Sequence, residues 1–357
     1  MSAKRESNAQ QSKAQPRPAP RRLTINDIAR LANVSKKTVS RVINGTPSKK
    51  TSATRERVAA IIAEHGFTPD PQARALAFRR SFLIAFIYDN PNPQYVINAQ
   101  QGLLDALKGS GLELVVRPAN RQAPDFIDEM RDFIVRQKPA GVVMFPSISE
   151  DVALTALLKE FDCPYVRVAS VSLDQPESMI VSHDSVGAAA VARHLAAAGH
   201  RRIAHISGPA SFRSSHERRT GFAAGLVECG LALDPAYSLE AAYTYDTGLA
   251  CARHLLALDP RPTAIFAGND EMAIGVYDAA QELGLSVPND LSVVGFDDSP
   301  IASRVSPRLT TVVLPIREMG RLAGLRLRGE PDPADPLNGH TLAPVMVIRN
   351  SVAPPNA

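Results

Sequence analysis

The pattern of apolar and polar positions changes its period twice along the 357-residue chain. Residues 1–22 show no period: Gln, Ser, Pro, Lys and Arg dominate, little there could be buried, and a disordered basic tail is expected. From Thr24, the residues Ile25, Ile28, Ala29 and Ala32 recur at i, i+3, i+4 and i+7, one face of a helix over 24–32, with Thr24 and Asp27 spaced as a capping box. Asn33 suits a tight turn, and Ser35 can cap a second helix, 35–44, that turns Val39, Val42 and Ile43 inward. A third helix is predicted over 54–65, with Val58, Ile61 and Ile62 inward and Gly66 as its stop. Three short helices should share one small core.

After "TPDPQARALAFRR" strand and helix alternate. The apolar runs "FLIAFIY", "LELVV", "GVVMF", "YVRVA", "RIAHIS", "TAIFAG" and "LSVVGF" are followed by helical stretches such as "DSVGAAAVARHLAAAG" and "NDEMAIGVYDAAQELG". Continuous apolar runs with helical crossovers predict parallel sheets covered on both faces. About 260 residues of this exceed one sheet, so two doubly wound halves are expected, with a ligand cleft at the carboxyl ends of their strands.

Charge adds a division that hydropathy does not give. Residues 1–80 hold 17 Lys and Arg against 5 Asp and Glu, whereas the rest holds 23 against 31, so a basic head sits on an acidic body. The head alone should meet a polyanion, with nucleic acid or an anionic membrane surface as the candidates. The N-terminus lacks an apolar signal region and no run of about 18 apolar residues occurs, so export and membrane spanning are not expected. Cys163, Cys229 and Cys251 lack metal-ligand spacing and read as reduced thiols in a cytoplasm.

The stretch "VSKKTVSRVIN" at 34–44 has an apolar face and three cations, Lys36, Lys37 and Arg41. It lies where the second helix of a helix-turn-helix would, a helix whose amino end enters a major groove. Lys and Arg can donate to guanine O6 and N7, and the hydroxyls of Thr38 and Ser40 suit phosphates. Spacing alone leaves an ordinary solvated helix face equally open.

"TINDIARLANVSKKTVSRVING", "TRERVAAIIAEHGFTPDPQARAL", "GHRRIAHISGP", "RRTGF", "AIFAGNDEMAIGVYDAAQELGLSVPNDLSVVGFDD" and "RLTTV", in this order over about residues 23–350, resemble the lac repressor / galactose repressor family of bacterial transcription regulators. The resemblance implies a helix-turn-helix head at 23–69, a hinge helix at 70–80, and a periplasmic-binding-protein-like core at 81–350. That core would divide into one lobe of about 81–181 plus 313–340 and another of about 182–312 plus 341–350. It also implies base reading by Lys36, Lys37 and Arg41, with Thr24, Ser35 and Asn44 completing the DNA-contacting set of the head. In the hinge, Ala73 would be small enough for close helix approach, Leu76 would wedge a central base step in the minor groove, and Arg74 would be a further DNA contact.

For the cleft, the resemblance and the chemistry of sugar pockets, which need bidentate polar groups and an aromatic face, converge. Arg218, Asn269 and Asp297 would contact ligand, Tyr243 would stack on it, and Gln94 and Tyr95 would follow the first strand into the site. Asp270 would cap its helix. The loop "IYDNPNPQYV" departs from the commoner family pattern; Asp89 and Asn90 would mark a hydroxyl-rich ligand or only shape a turn. Where relatives often place a charged ligand contact, this chain has Ala169 and Ser170.

No G-x-S-x-G elbow or Gly-rich phosphate loop follows a strand, and His183, His205 and His216 lack metal spacing, so no catalysis, metal or cofactor is expected. The expected function is a sugar-responsive repressor, a homodimer on palindromic double-stranded operator DNA. The end of the chain, "VMVIRNSVAPPNA", has no heptad repeat, which argues for a dimer rather than a tetramer. Two alternatives keep the core: a corepressor-dependent repressor sensing a purine, and, against the basic head, a solute-binding transport protein.

Overall fold

The computed structural model describes residues 23–43, 52–67, 81–90, 92–332, 335 and 342–356. Two compact units divide at Arg79 and Arg80. In the first, helices α1 (Ile25–Leu31), α2 (Lys36–Ile43) and α3 (Ser52–Glu64) bury Ile28, Ala29, Ala32, Val39 and Val58 together. The reciprocal Thr24 and Asp27 capping box forms. Asn33 takes the left-handed conformation at φ +50°, and the Thr38 amide donates to Ser35 Oγ, which caps α2. Gly66, at φ +57°, follows the end of α3. The expected tail at 1–22 and hinge helix at 70–80 lie outside the described residues.

The second unit carries the alternation read from the sequence. Its first lobe runs β1 (Leu83–Tyr88), α4 (Pro93–Leu107), β2 (Glu113–Pro118), α5 (Phe126–Gln137), β3 (Gly141–Met144), α6 (Val152–Glu160), β4 (Tyr165–Ala169) and β5 (Met179–Val181). Its second runs α7 (Asp184–Ala197), β6 (Ile203–Ser207), α8 (Arg213–Glu228), β7 (Ser238–Glu240), α9 (Tyr245–Leu256), β8 (Ala264–Ala267), α10 (Asp270–Glu282) and β9 (Ser292–Val294). The sheets are ordered β2-β1-β3-β4-β5 and β7-β6-β8-β9 and are parallel throughout. In both, strand order reverses beside the first strand of the lobe, the switch point at which doubly wound sheets open a ligand crevice.

After β9 the chain forms β10 (Thr311–Val313), α11 (Ile316–Arg328) and β11 (Val345–Val347). α11 returns to the first lobe and packs on α4. The approach is close: a Cβ on Gly102 would strike the Arg317 carbonyl, so Gly is required on that face. β10 and β11 pair antiparallel, the one exception to the parallel rule among the described strands, because a short return strand needs no crossover. A continuous apolar core joins the inner faces of both lobes through Phe86, Phe145, Phe222, Phe266 and Phe296, and separate cores cover each outer face.

Candidate functional site

The cleft is built around Arg218, on α8 and only 5% exposed. Its Nε donates to Asp184 Oδ2 at 2.8 Å, its Nη1 to the Gly268 carbonyl, and its Nη2 to Asp297 Oδ1 at 3.4 Å. The guanidinium carbon lies 3.9 Å from the centre of the Phe296 ring. Asp297 in turn accepts a 3.2 Å bond from Asn92 Nδ2, so an amide of the first lobe reaches a carboxylate of the second. Asn90, Tyr95, Pro146, Ser182, Phe212, Ser214, Tyr243 and Asn269 complete the lining with Asn92, Asp184, Arg218 and Asp297. The free volume left is about 20 Å³, room for little more than one water molecule. The cleft is therefore closed on its own side chains.

Backbone strain concentrates in the same segments. Tyr243 and Asp297 sit at φ +62° and +103°, and the neighbouring His183 and Asp298 at +53° and +49°. Such residues cost on the order of 1 to 3 kcal/mol each and persist where surrounding bonds over-determine them. The bonds are present: the Tyr243 carbonyl accepts from Asn269 Nδ2 at 3.0 Å, and the Asp297 amide donates to the Val312 carbonyl at 2.8 Å. Tyr243 is held with its ring over Gly208, where a Cβ would collide, and its hydroxyl is 2.8 Å from Ser215 Oγ.

Two carboxylates crowd one arginine, and a third, Asp270, lies behind them. Burial pushes Asp297 up to about 6, with Arg218 pulling it down and Asp184 pushing it further up. Asp270, behind the cleft, goes up to about 8, first through burial and then through the Asp297 carboxylate. The Tyr95 hydroxyl is likewise raised by burial and by Asp184 and Asp297. The arrangement has many neutral hydrogen-bonding groups and a slight excess of negative charge, which suits donors such as sugar hydroxyls.

Most of the expected cleft residues come together: Tyr95, Arg218, Tyr243, Asn269 and Asp297 all line it. Gln94 does not. Its side chain turns along α4 to Asn98 Oδ1 at 2.9 Å, because consecutive helical residues point about 100° apart and Tyr95 takes the inward direction. The capping expectation for Asp270 is corrected as well. Asn269 is the N-cap of α10, accepting from the Met272 amide, while Asp270 accepts from the Ser299 amide and Thr311 Oγ1, both at 2.6 Å. Asp89 shapes structure: its two oxygens hold the amide and hydroxyl of Ser147. Asn90 both caps the turn to Asn92 and lines the cleft. Ser170 is buried and outside the lining.

In the head, Lys36, Lys37 and Arg41 are exposed on one helix, Ser35 is exposed and Ser40 half-buried. Thr38 is 8% exposed and its hydroxyl lies 3.0 Å from Ser35 Oγ, so it faces the cap rather than solvent. Thr24 is occupied in the capping box. Asn44, Ala73, Arg74 and Leu76 lie outside the described residues.

Comparison with known proteins decides what this pairing of head and cleft is. Residues 24–70 match the family model for bacterial regulatory proteins of the lacI family, and 192–352 match a periplasmic binding protein-like domain. Catabolite control protein A of Priestia megaterium is 33% identical over 303 residues, 84% of this chain and 90% of that one. The chain belongs to the lacI family of bacterial regulatory proteins. This lacI-family regulator is also 31% identical to the repressor CytR of Escherichia coli over 85% of its own length and 88% of the relative. Among solved structures it superposes on the lac repressor dimer bound to operator and the anti-inducer ONPF with a TM-score of 0.77, at 26% identity and with 93% and 100% of the chains covered. The complex of the regulator CelR with cellobiose gives 0.67 at 28% identity, covering 92% and 100%.

Sequence reasoning missed Asn92, Ser182 and Asp184 as cleft residues of the regulator. Asn92 sits in "NPNPQ", which reads as a turn, and its Oδ1 does cap α4. Only the fold shows that its Nδ2 is left to reach Asp297. Asp184 opens α7, where an acidic residue reads as dipole compensation. A signal was present for it: "VSHDS" places a carboxylate immediately after a strand that ends at the cleft.

Proposed function

We propose that this regulator is a homodimeric, sequence-specific repressor of carbohydrate-utilisation genes in the bacterial cytoplasm, released from a palindromic operator when a sugar enters the cleft. The observation that carries the reading is the closed cleft itself, where Arg218, Asp297, Asn269 and Asn92 offer paired donors and acceptors from both lobes to a hydroxyl-rich ligand. The cellobiose complex of CelR supports a saccharide. Lys36, Lys37 and Arg41 read bases in the major groove, with two half-sites about one helical turn apart. Asn44 adds a further DNA contact, and Ala73, Arg74 and Leu76 are proposed to act on the minor groove.

The test is an operator titration with and without a panel of sugars and purines. A sugar should weaken operator binding by a coupling of about 1 to 3 kcal/mol. Tighter binding with a purine would replace induction by corepression. No change with any compound, or equal affinity for operator and random DNA, would overturn the reading.

A further inference from the structure

A second recess lies on the same edge of the core as the cleft and shares two of its chain segments. Pro146 lines the cleft and Glu150 the recess; Phe212 and Ser214 line the cleft, Ser211 and Arg213 the recess. Its volume is about 500 Å³, enough for a small organic molecule in this closed arrangement of the lobes. Its walls come from both lobes, with Arg121, Glu150, Lys159, Arg167 and Asp174 from the first and Arg213 from the second.

The charge of this recess is opposite to that of the cleft. Four cations face two carboxylates. Part of the positive charge is neutralised: Arg121 pairs with Asp151 at 3.1 Å, and Asp174 accepts both Arg167 at 3.4 Å and Lys159 at 3.5 Å. Arg213 has no ion-pair partner among the described residues, and its guanidinium stands on the first residue of the 16-residue helix α8, whose amide end adds further positive potential. Glu150 bridges the lobes by accepting the Arg213 amide through Oε2 at 3.2 Å, while its other oxygen, Oε1, is buried without a hydrogen-bond partner. An unpaired buried acceptor is costly, and either water or a ligand hydroxyl can supply the missing donor. Burial raises the Glu150 carboxyl above its usual range, against the opposing pull of the Arg213 amide and the Arg121 and Arg213 charges.

We infer that this recess is a second small-molecule site, distinct from the cleft, for a hydroxylated organic anion whose phosphate or carboxylate pairs with Arg213, Lys159 and Arg121 and whose hydroxyl donates to Glu150 Oε1. Because Arg213 belongs to one lobe and Lys159 and Arg121 to the other, such a ligand ties the lobes together in their closed arrangement.

Glucose 6-phosphate, glucuronate and neutral glucose serve as probes in calorimetric titrations of the full chain at matched ionic strength. At least one of the two anions should bind with a Kd near or below about 1 mM. The double variant Lys159→Ser and Arg213→Ser should weaken that anion at least tenfold, about 1.4 kcal/mol, and leave any binding of glucose unchanged. Both side chains are exposed, so a melting curve matching the native one shows that the fold is kept. Sensitivity of glucose 6-phosphate alone assigns a phosphate site, and of glucuronate alone a carboxylate site. A Lys36→Ala and Lys37→Ala variant reports anion binding by the basic head. The inference falls if neither anion binds, if the recess variant binds as the native chain does, or if only the head variant loses binding. None of these outcomes depends on operator release, so the repressor reading stands or fails separately.

Discussion

Replacing Arg218 by Ala removes the one cation among Asp184, Asp297 and the Gly268 carbonyl, and the consequence is calculable from burial. The arginine and both carboxylates are nearly solvent-free, with side chains 6%, 2% and 12% exposed. Breaking a buried pair from one side costs about 3 to 5 kcal/mol because the remaining charges are stranded. A domain of this size loses about 2 to 4 °C per kcal/mol, so the core should melt on the order of 10 °C lower. Arg218→Lys keeps the charge but not the fork that serves three acceptors, and should fall between.

Protonation gives the variant a signature that ordinary core damage lacks. Asp297 already holds its proton up to about pH 6 in the native fold, against 3.8 in an unfolded chain, and loss of Arg218 raises it further. A carboxyl raised on folding contributes stability at low pH that is lost as pH rises through its folded value. The melting deficit of Arg218→Ala should therefore be largest near pH 8 and shrink towards pH 5. Circular dichroism melting of both proteins across that range measures it. An unchanged melting temperature at neutral pH would refute the buried-pair account, and a deficit independent of pH would show that lost packing on Phe296, not stranded charge, is responsible.

Further consequences are open to measurement. Asp270→Asn should flatten the fall of melting temperature between about pH 5 and 8, since the native carboxyl, raised to about 8, sheds stability as pH climbs towards that value while an amide cannot titrate. Gly221→Ala should destabilise the core by about 1 to 3 kcal/mol in denaturant titration, because its Cβ would strike the Ser185 carbonyl where α7 and α8 cross. Arg41→Ala should cost about 1 to 3 kcal/mol on operator DNA and much less on random DNA in binding titrations; equal losses would reduce Arg41 to a phosphate contact.

Legibility in the sequence followed the range of the interaction. The head was readable because its determinants are local: Thr24 meets Asp27 three residues on, Asn33 needs only its own φ, and Ser35 caps the helix it opens. The central strands were readable as apolar runs, whereas β5, β7 and β10 were not read as strands. Neighbouring Asn269 and Asp270 are both good caps. The tie is broken by a bond from the Asp270 amide to the Phe296 carbonyl, made from the segment after β9 and invisible to local reasoning. Asn92 and Asp297, 205 residues apart, illustrate the limit.

The internal satisfaction of the cleft also bears on how it can respond to a ligand. Arg218, Asp184, Asp297 and Asn92 already hold one another, so an entering sugar must displace bonds before it can make its own. Each exchanged hydrogen bond nets only about 0.5 to 1.5 kcal/mol, so affinity has to come from fit and from the ring's apolar face, while the polar groups chiefly reject molecules that would leave one of them unpaired. The Asn92 to Asp297 bond is the most exchangeable of these, since its donor is a neutral amide making one bond across the cleft. Asn92 cannot simply be removed to test this, since its Oδ1 caps α4. Asp at that position keeps an acceptor for the cap and places a second carboxylate beside Asp297, so Asn92→Asp should open the lobes in the absence of ligand. Small-angle scattering of the ligand-free variant would then give a larger radius of gyration at pH 8 than at pH 5; equal radii to the native chain at both would show that this bond does not govern closure.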